Sequence, residues 1–195
     1  MSIRVVTTLL ILCTLFAQRS LAVEEPSVAS MESRTTAVLA GVELQSLLQR
    51  VAESAKKRFL VEAHVPSQVV IGTVDPKSVT FPMLLAILRN NGLAAFTQQG
   101  LVNVVPADDI RHFAVPTIDR DDNSIPDDEW VTRITRTRNI SAVQLVPILR
   151  PLIPRGGHFA ALPDQNALIL VDSYANGRRI LELIAALDKP APKSP

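Results

Sequence analysis

The chain has 195 residues, 47% of them hydrophobic and 20% charged, with a formal net charge of +1. That length suits one ordinary domain or two small ones and is too short for a channel, while the composition excludes a disordered chain. Basic and acidic residues are mixed along the sequence near neutrality, so no nucleic-acid partner is expected.

Residues 1–22 read as a signal peptide. Arg4 supplies a positive start, Val5 to Ala17 is almost wholly apolar, and Ser20-Leu21-Ala22 places small residues for cleavage after Ala22. An uncleaved anchor is the competing reading, but the apolar run falls short of the roughly 20 residues that span a bilayer. The single cysteine, Cys13, lies in this segment. The exported chain then has neither a disulfide nor a thiolate to use.

Residues 23–36 are polar and aperiodic and read as a flexible leader. Val38-Leu39-Ala40 follows as a short strand, and Val42, Leu44, Leu47, Leu48, Val51 and Ala55 recur at helical spacing. Lys56-Lys57-Arg58 suits the end of that helix. Phe59-Leu60-Val61 and Val69-Val70-Ile71 read as two strands about Pro66-Ser67. A second helix starts at Phe81-Pro82 and stops at Asn90-Asn91-Gly92, with Gly92 as a left-handed cap. Leu93 to Thr97 and Leu101 to Val105 form a hairpin about Gln98-Gln99-Gly100. This first module spans residues 37–111.

Residues 112–129 read as an acidic linker, crowded with Asp119, Asp121, Asp122, Asp127, Asp128 and Glu129. A calcium loop is the alternative, but the glycine and the glutamate such a loop needs are missing. A β-branched strand begins at Val131. Ser141 is placed to cap the next helix, which Pro151 and Pro154 end. His158 to Leu162 and Ala167 to Val171 pair about Pro163 to Asn166, and a last helix runs from Tyr174 to Leu187. The second module, residues 130–190, is therefore βαββα, a KH-like order, and residues 191–195 are a tail. The fold class is α+β: two small α/β modules, the first with two helices and small mixed sheets.

No catalytic constellation is present. His64, His112 and His158 lie in separate segments without zinc spacing, and Ser67, Ser78 and Ser141 fall in turns or caps. Arg155-Gly156-Gly157 does not join two helices as a KH clamp would, so a turn needing positive φ explains its glycines. Arg133, Arg136, Arg138, Arg150 and Arg155 form a mild basic cluster, read as a solvated face rather than a docking surface. Trp130 either packs the modules together or is an exposed anchor. Catalytic, cofactor-binding and metal residues are accordingly each expected to be none.

The run from Phe81 to Leu93, followed by Val102 to Pro106, resembles the first N-domain of secretins. Val131 to Ala142, Leu149 to Pro154 and Asn166 to Asp172, with Ala175 to Ile180 and Ile184 to Pro190, resemble the second. Ser67 or Gln68 stands where the family has a glycine. The resemblance implies a type II secretion branch without the pore domain. It implies a scaffold whose first N-domain meets the inner-membrane platform or cargo and whose second packs against its copies. The expected function is thus a non-catalytic periplasmic interaction protein, with protein partners and outer-membrane association through them. A ligand-binding or enzymatic protein reusing the fold is the alternative, as is a truncated remnant. A closed polar pocket would favour the enzyme, and an exposed apolar strip along a strand edge would favour docking.

Overall fold

The structure, a computed structural model, describes residues 41–190. The signal peptide, the leader, the strand at Val38 to Ala40 and the tail lie outside the described residues.

The first half contains β1 (Gly41–Glu43), α1 (Leu44–Ala55), β2 (Arg58–Val61), β3 (Gln68–Val70), α2 (Phe81–Asn90), β4 (Leu93–Gln98) and β5 (Leu101–Pro106). The helical spacing seen in the sequence becomes one buried face of α1, formed by Leu44, Leu47, Leu48 and Val51. Proline is tolerated in the first turn of α2, and beyond Asn91 the chain turns through Gly92 at φ 74°. β1 pairs antiparallel with β3. The other sheet runs β2-β5-β4, with β2 parallel to β5 and β4 antiparallel to it. Side chains of α1 and α2, among them Leu47, Leu84, Leu85 and Leu88, enclose a core with Val102 and Val104. Each such burial contributes roughly 1.5–3 kcal/mol.

The second half contains β6 (Trp130–Arg136), α3 (Ala142–Leu149), β7 (His158–Leu162), β8 (Ala167–Ser173) and α4 (Tyr174–Leu187). Its sheet is antiparallel throughout, in the order β6-β8-β7. Both helices cover one face, where Leu145, Leu149, Leu168, Leu170, Ile180 and Ile184 are buried together. The architecture is α+β, and from α1 onward the element order is the expected one; Val42, expected on the helical face, lies instead in β1.

Three local expectations are corrected. Ser141 occupies the cap position of α3, but its side chain caps nothing. Instead Asn166, held left-handed at φ 46°, accepts the Ala142 N–H at 2.7 Å and donates to the carbonyls of Thr137 and Ile140. The α-helix also contains Pro147 and gives way at Arg150 to a short 3-10 turn, so Pro151 lies in that turn. Finally, neither Gly156 nor Gly157 has positive φ. Their reason is close approach. A Cβ on Gly156 would run into the backbone carbonyl of Ala107, and one on Gly157 would lie 2.9 Å from the Val171 oxygen. Ala107 follows β5, so Gly156 is a point where the two halves touch through their backbones.

Candidate functional site: a stitched seam and two open strand edges

The acidic stretch before β6 lies along the join between the halves. Trp130, 5% exposed, is buried in a cluster with Ala94, Phe96, Val105, Ile110 and Val115, against which Val171 packs. Of its two sequence readings the structure selects packing between the halves. Glu129 works in both directions. Its carboxylate accepts the Thr97 N–H at 2.9 Å, and its carbonyl accepts the Tyr174 N–H at 2.8 Å. The Asp127 carbonyl takes the Ala175 N–H, so two donors at the start of α4 are satisfied by this segment.

Three arginines on three elements each hold one aspartate of the stretch. Arg89 of α2 meets Asp128 at 2.6 Å, Arg133 of β6 meets Asp121 at 2.9 Å, and Arg178 of α4 meets Asp127 at 3.0 Å. This corrects the reading of Arg133 as part of a solvated face, since its side chain is only 8% exposed. Arg136, Arg138, Arg150 and Arg155 are exposed as expected. Asp122 accepts the Ser124 N–H, and its own N–H donates to the Tyr174 hydroxyl at 2.7 Å.

Two further carboxylates escaped the sequence reading. Asp172, 1% exposed, accepts from Asn176 Nδ2 and from the Ser173 N–H, both at 2.6 Å. Burial pushes its pKa up to about 6 against those neutral donors. Asp188 accepts the backbone N–H groups of Arg138, Asn139 and Ile140, which hold its carboxyl below the usual range. The signal that could have found Asp188 is its place just past the end of a helix. Nothing local marks Asp172.

The histidines lie in separate segments, and all three are exposed. His64 Nδ1 lies 2.8 Å from Glu62, which raises the pKa of the imidazole and lowers that of the carboxyl. Among the described residues, no three His, Asp or Glu side chains converge as metal ligands would. No helix among them is long and apolar enough to cross a membrane.

The strand edges are treated unequally. The outer edge of β4 is occupied by Glu129, bridged to Ala95, and that of β6 by Pro116 to Ile118, which exchange bonds with Thr132. The Asn91 amide closes β3 by bonding both the N–H and the carbonyl of Val70. The outer edges of β2 and β7 carry no strand among the described residues. Beside β2, an open furrow lined by Leu44, Leu48, Val61 and Val65 runs against α1. Leu60 and Val61, 57% and 41% exposed, project from opposite faces of this free edge, so exposed apolar surface flanks it on both sides.

Residues 132–193 match the family model of the bacterial type II/III secretion system short domain. Secretin XcpQ of Pseudomonas aeruginosa is 27% identical over 84% of this chain, and secretin ExeD of Aeromonas hydrophila 26% identical over 75%. The chain is thus similar to secretins over most of its length, and its second half to their short domain. It spans only 24% and 22% of the length of those two secretins. The Klebsiella pneumoniae type II secretion outer membrane complex of PulD, PulS and the PulC HR domain shares the fold. Its TM-score is 0.62 at 24% identity, over 78% of this chain and 26% of the compared chain. Of the two stretches that resembled secretin N-domains in sequence, the second falls within the matched family model, and the chain as a whole is similar to secretins.

Proposed function

We propose that this chain is a non-catalytic docking and scaffold protein of a type II-like secretion system, acting in the periplasm after export by residues 1–22. Residues 37–111 and 130–190 serve as two N-domains, with residues 112–129 joining them. Its partners are proteins: the secretin channel, the inner-membrane assembly platform or the cargo. Secretin relatives over most of the chain support this reading, as does a fold neighbour that is itself a complex with the PulC HR domain. The observation that carries it is exposed apolar surface along an unpaired strand edge, Leu60 on one face and Val61 on the other, the feature that favours docking over a closed catalytic pocket.

The test is capture of purified secretin and platform domains on the immobilised chain, with Leu60→Lys and Val61→Lys as variants. Capture by the wild type and its loss in the variants supports the proposal. Failure of the wild type to hold any component overturns it.

A further inference from the structure

The open edge of β2 is chemically self-complementary. The Glu62 N–H bonds the Val104 carbonyl, so Glu62 faces β5. By strand alternation Arg58 and Leu60 also direct their backbone groups to β5, while those of Phe59 and Val61 point out of the sheet edge. The side chains alternate as well. Phe59 packs on the core, whereas Arg58, Leu60 and Glu62 form a row on the other face, with Arg58 and Leu60 exposed. That row reads cation, apolar, anion.

We propose that β2 is a two-fold pairing edge whose occupant is the β2 strand of a second copy of this chain, running antiparallel and centred on Leu60. In that register Phe59 of one copy and Val61 of the other exchange N–H···O bonds, and the two-fold axis repeats the exchange. The Leu60 side chains meet in the narrow pair at the centre. Arg58 of each copy stands opposite Glu62 of the other. The edge thus matches itself in charge, in apolar contact and in unpaired backbone, which is why a second copy is the occupant. A contact of one short strand buries little area, so the association is weak and reversible.

The proposal names a further occupant of the same edge on which the docking reading rests, so self-pairing and capture exclude each other there, and the two fail separately: a monomeric chain that still captures secretion components would remove only this one. The test is sedimentation equilibrium of the full chain over a wide concentration range. Wild type should show a reversible dimer. Arg58→Glu and Glu62→Arg should each weaken it at least about tenfold, because each places like charges opposite on both sides of the axis. The double variant should pair with itself again, and the two single variants should pair with each other when mixed. As a second measurement, Leu60→Cys in a Cys13→Ser background should form an intermolecular disulfide on mild oxidation. A wild type that stays monomeric and fails to cross-link, or a dimer indifferent to both charge reversals, would overturn the proposal.

Discussion

Asn176 donates a 2.6 Å hydrogen bond to Asp172, and among the described residues no cationic side chain shares that carboxylate. Arg89, Arg133 and Arg178 around the join are committed to Asp128, Asp121 and Asp127. The buried charge is left with neutral donors.

A pH dependence follows from this. The carboxyl titrates at about 6 in the folded chain and near its ordinary value of 3.8 when unfolded. Between those values the folded state holds more protons, so its contribution is greatest below about 3.8 and declines as pH rises to about 6. The full decline is on the order of 3 kcal/mol. Asp172→Asn removes the titrating group, so its stability relative to wild type should rise from pH 4 to pH 7 in urea titrations. A constant difference across that range would refute the account.

Asp188 behaves in the opposite sense. Its folded pKa is lowered, so its contribution is present above the ordinary carboxylate range and lost as pH falls through the folded value. Asp188→Ala should expose the amides of Arg138, Asn139 and Ile140 to faster hydrogen exchange at neutral pH, leaving those of β4 and β5 unchanged.

Gly156→Ala should destabilise the chain by about 1–3 kcal/mol, because its methyl group meets the Ala107 backbone, which must move. Gly72→Ala is the useful comparison. A Cβ there meets nothing within 4 Å, so its cost arises only from φ of +63°. Thermal melts of the two variants separate collision from backbone strain.

Trp130 is the single tryptophan, so its fluorescence reports the join directly. Emission should be blue-shifted in the native chain and move red in one step with unfolding. Trp130→Ala should cost about 3–5 kcal/mol by leaving a cavity among Phe96, Val105 and Ile110. Native emission at the wavelength of exposed indole would contradict the packing.

What the sequence disclosed was periodic or locally punctuated. Leu44 to Val51 announces a helix by spacing, and Gln99-Gly100 a hairpin by turn chemistry, with both residues at positive φ. The relationships across the join were not legible, because they link residues remote in the chain. Arg133 reads as one charge of a strand pattern until Asp121 folds over it. Gly156 reads as a turn until Ala107 arrives beside it. The capping of α3 was misread for the same reason: Ser141 has the right chemistry in the right place, yet Asn166, from the β7–β8 connection, takes the bond. Of the candidate site, Leu60 and Val61 were visible as a strand, but whether its edge stayed open depended on the rest of the sheet.

The Asn91 amide that closes β3 by mimicking a peptide group has a consequence for valency. A strand edge accepts whichever chain arrives, so the number of uncapped edges sets how many neighbours a subunit can recruit through its backbone. With β3, β4 and β6 blocked by a side chain, a carboxylate segment and a returning loop, growth in those directions stops at the monomer. Replacing that one asparagine would add a further adhesive direction and shift the molecule toward branching.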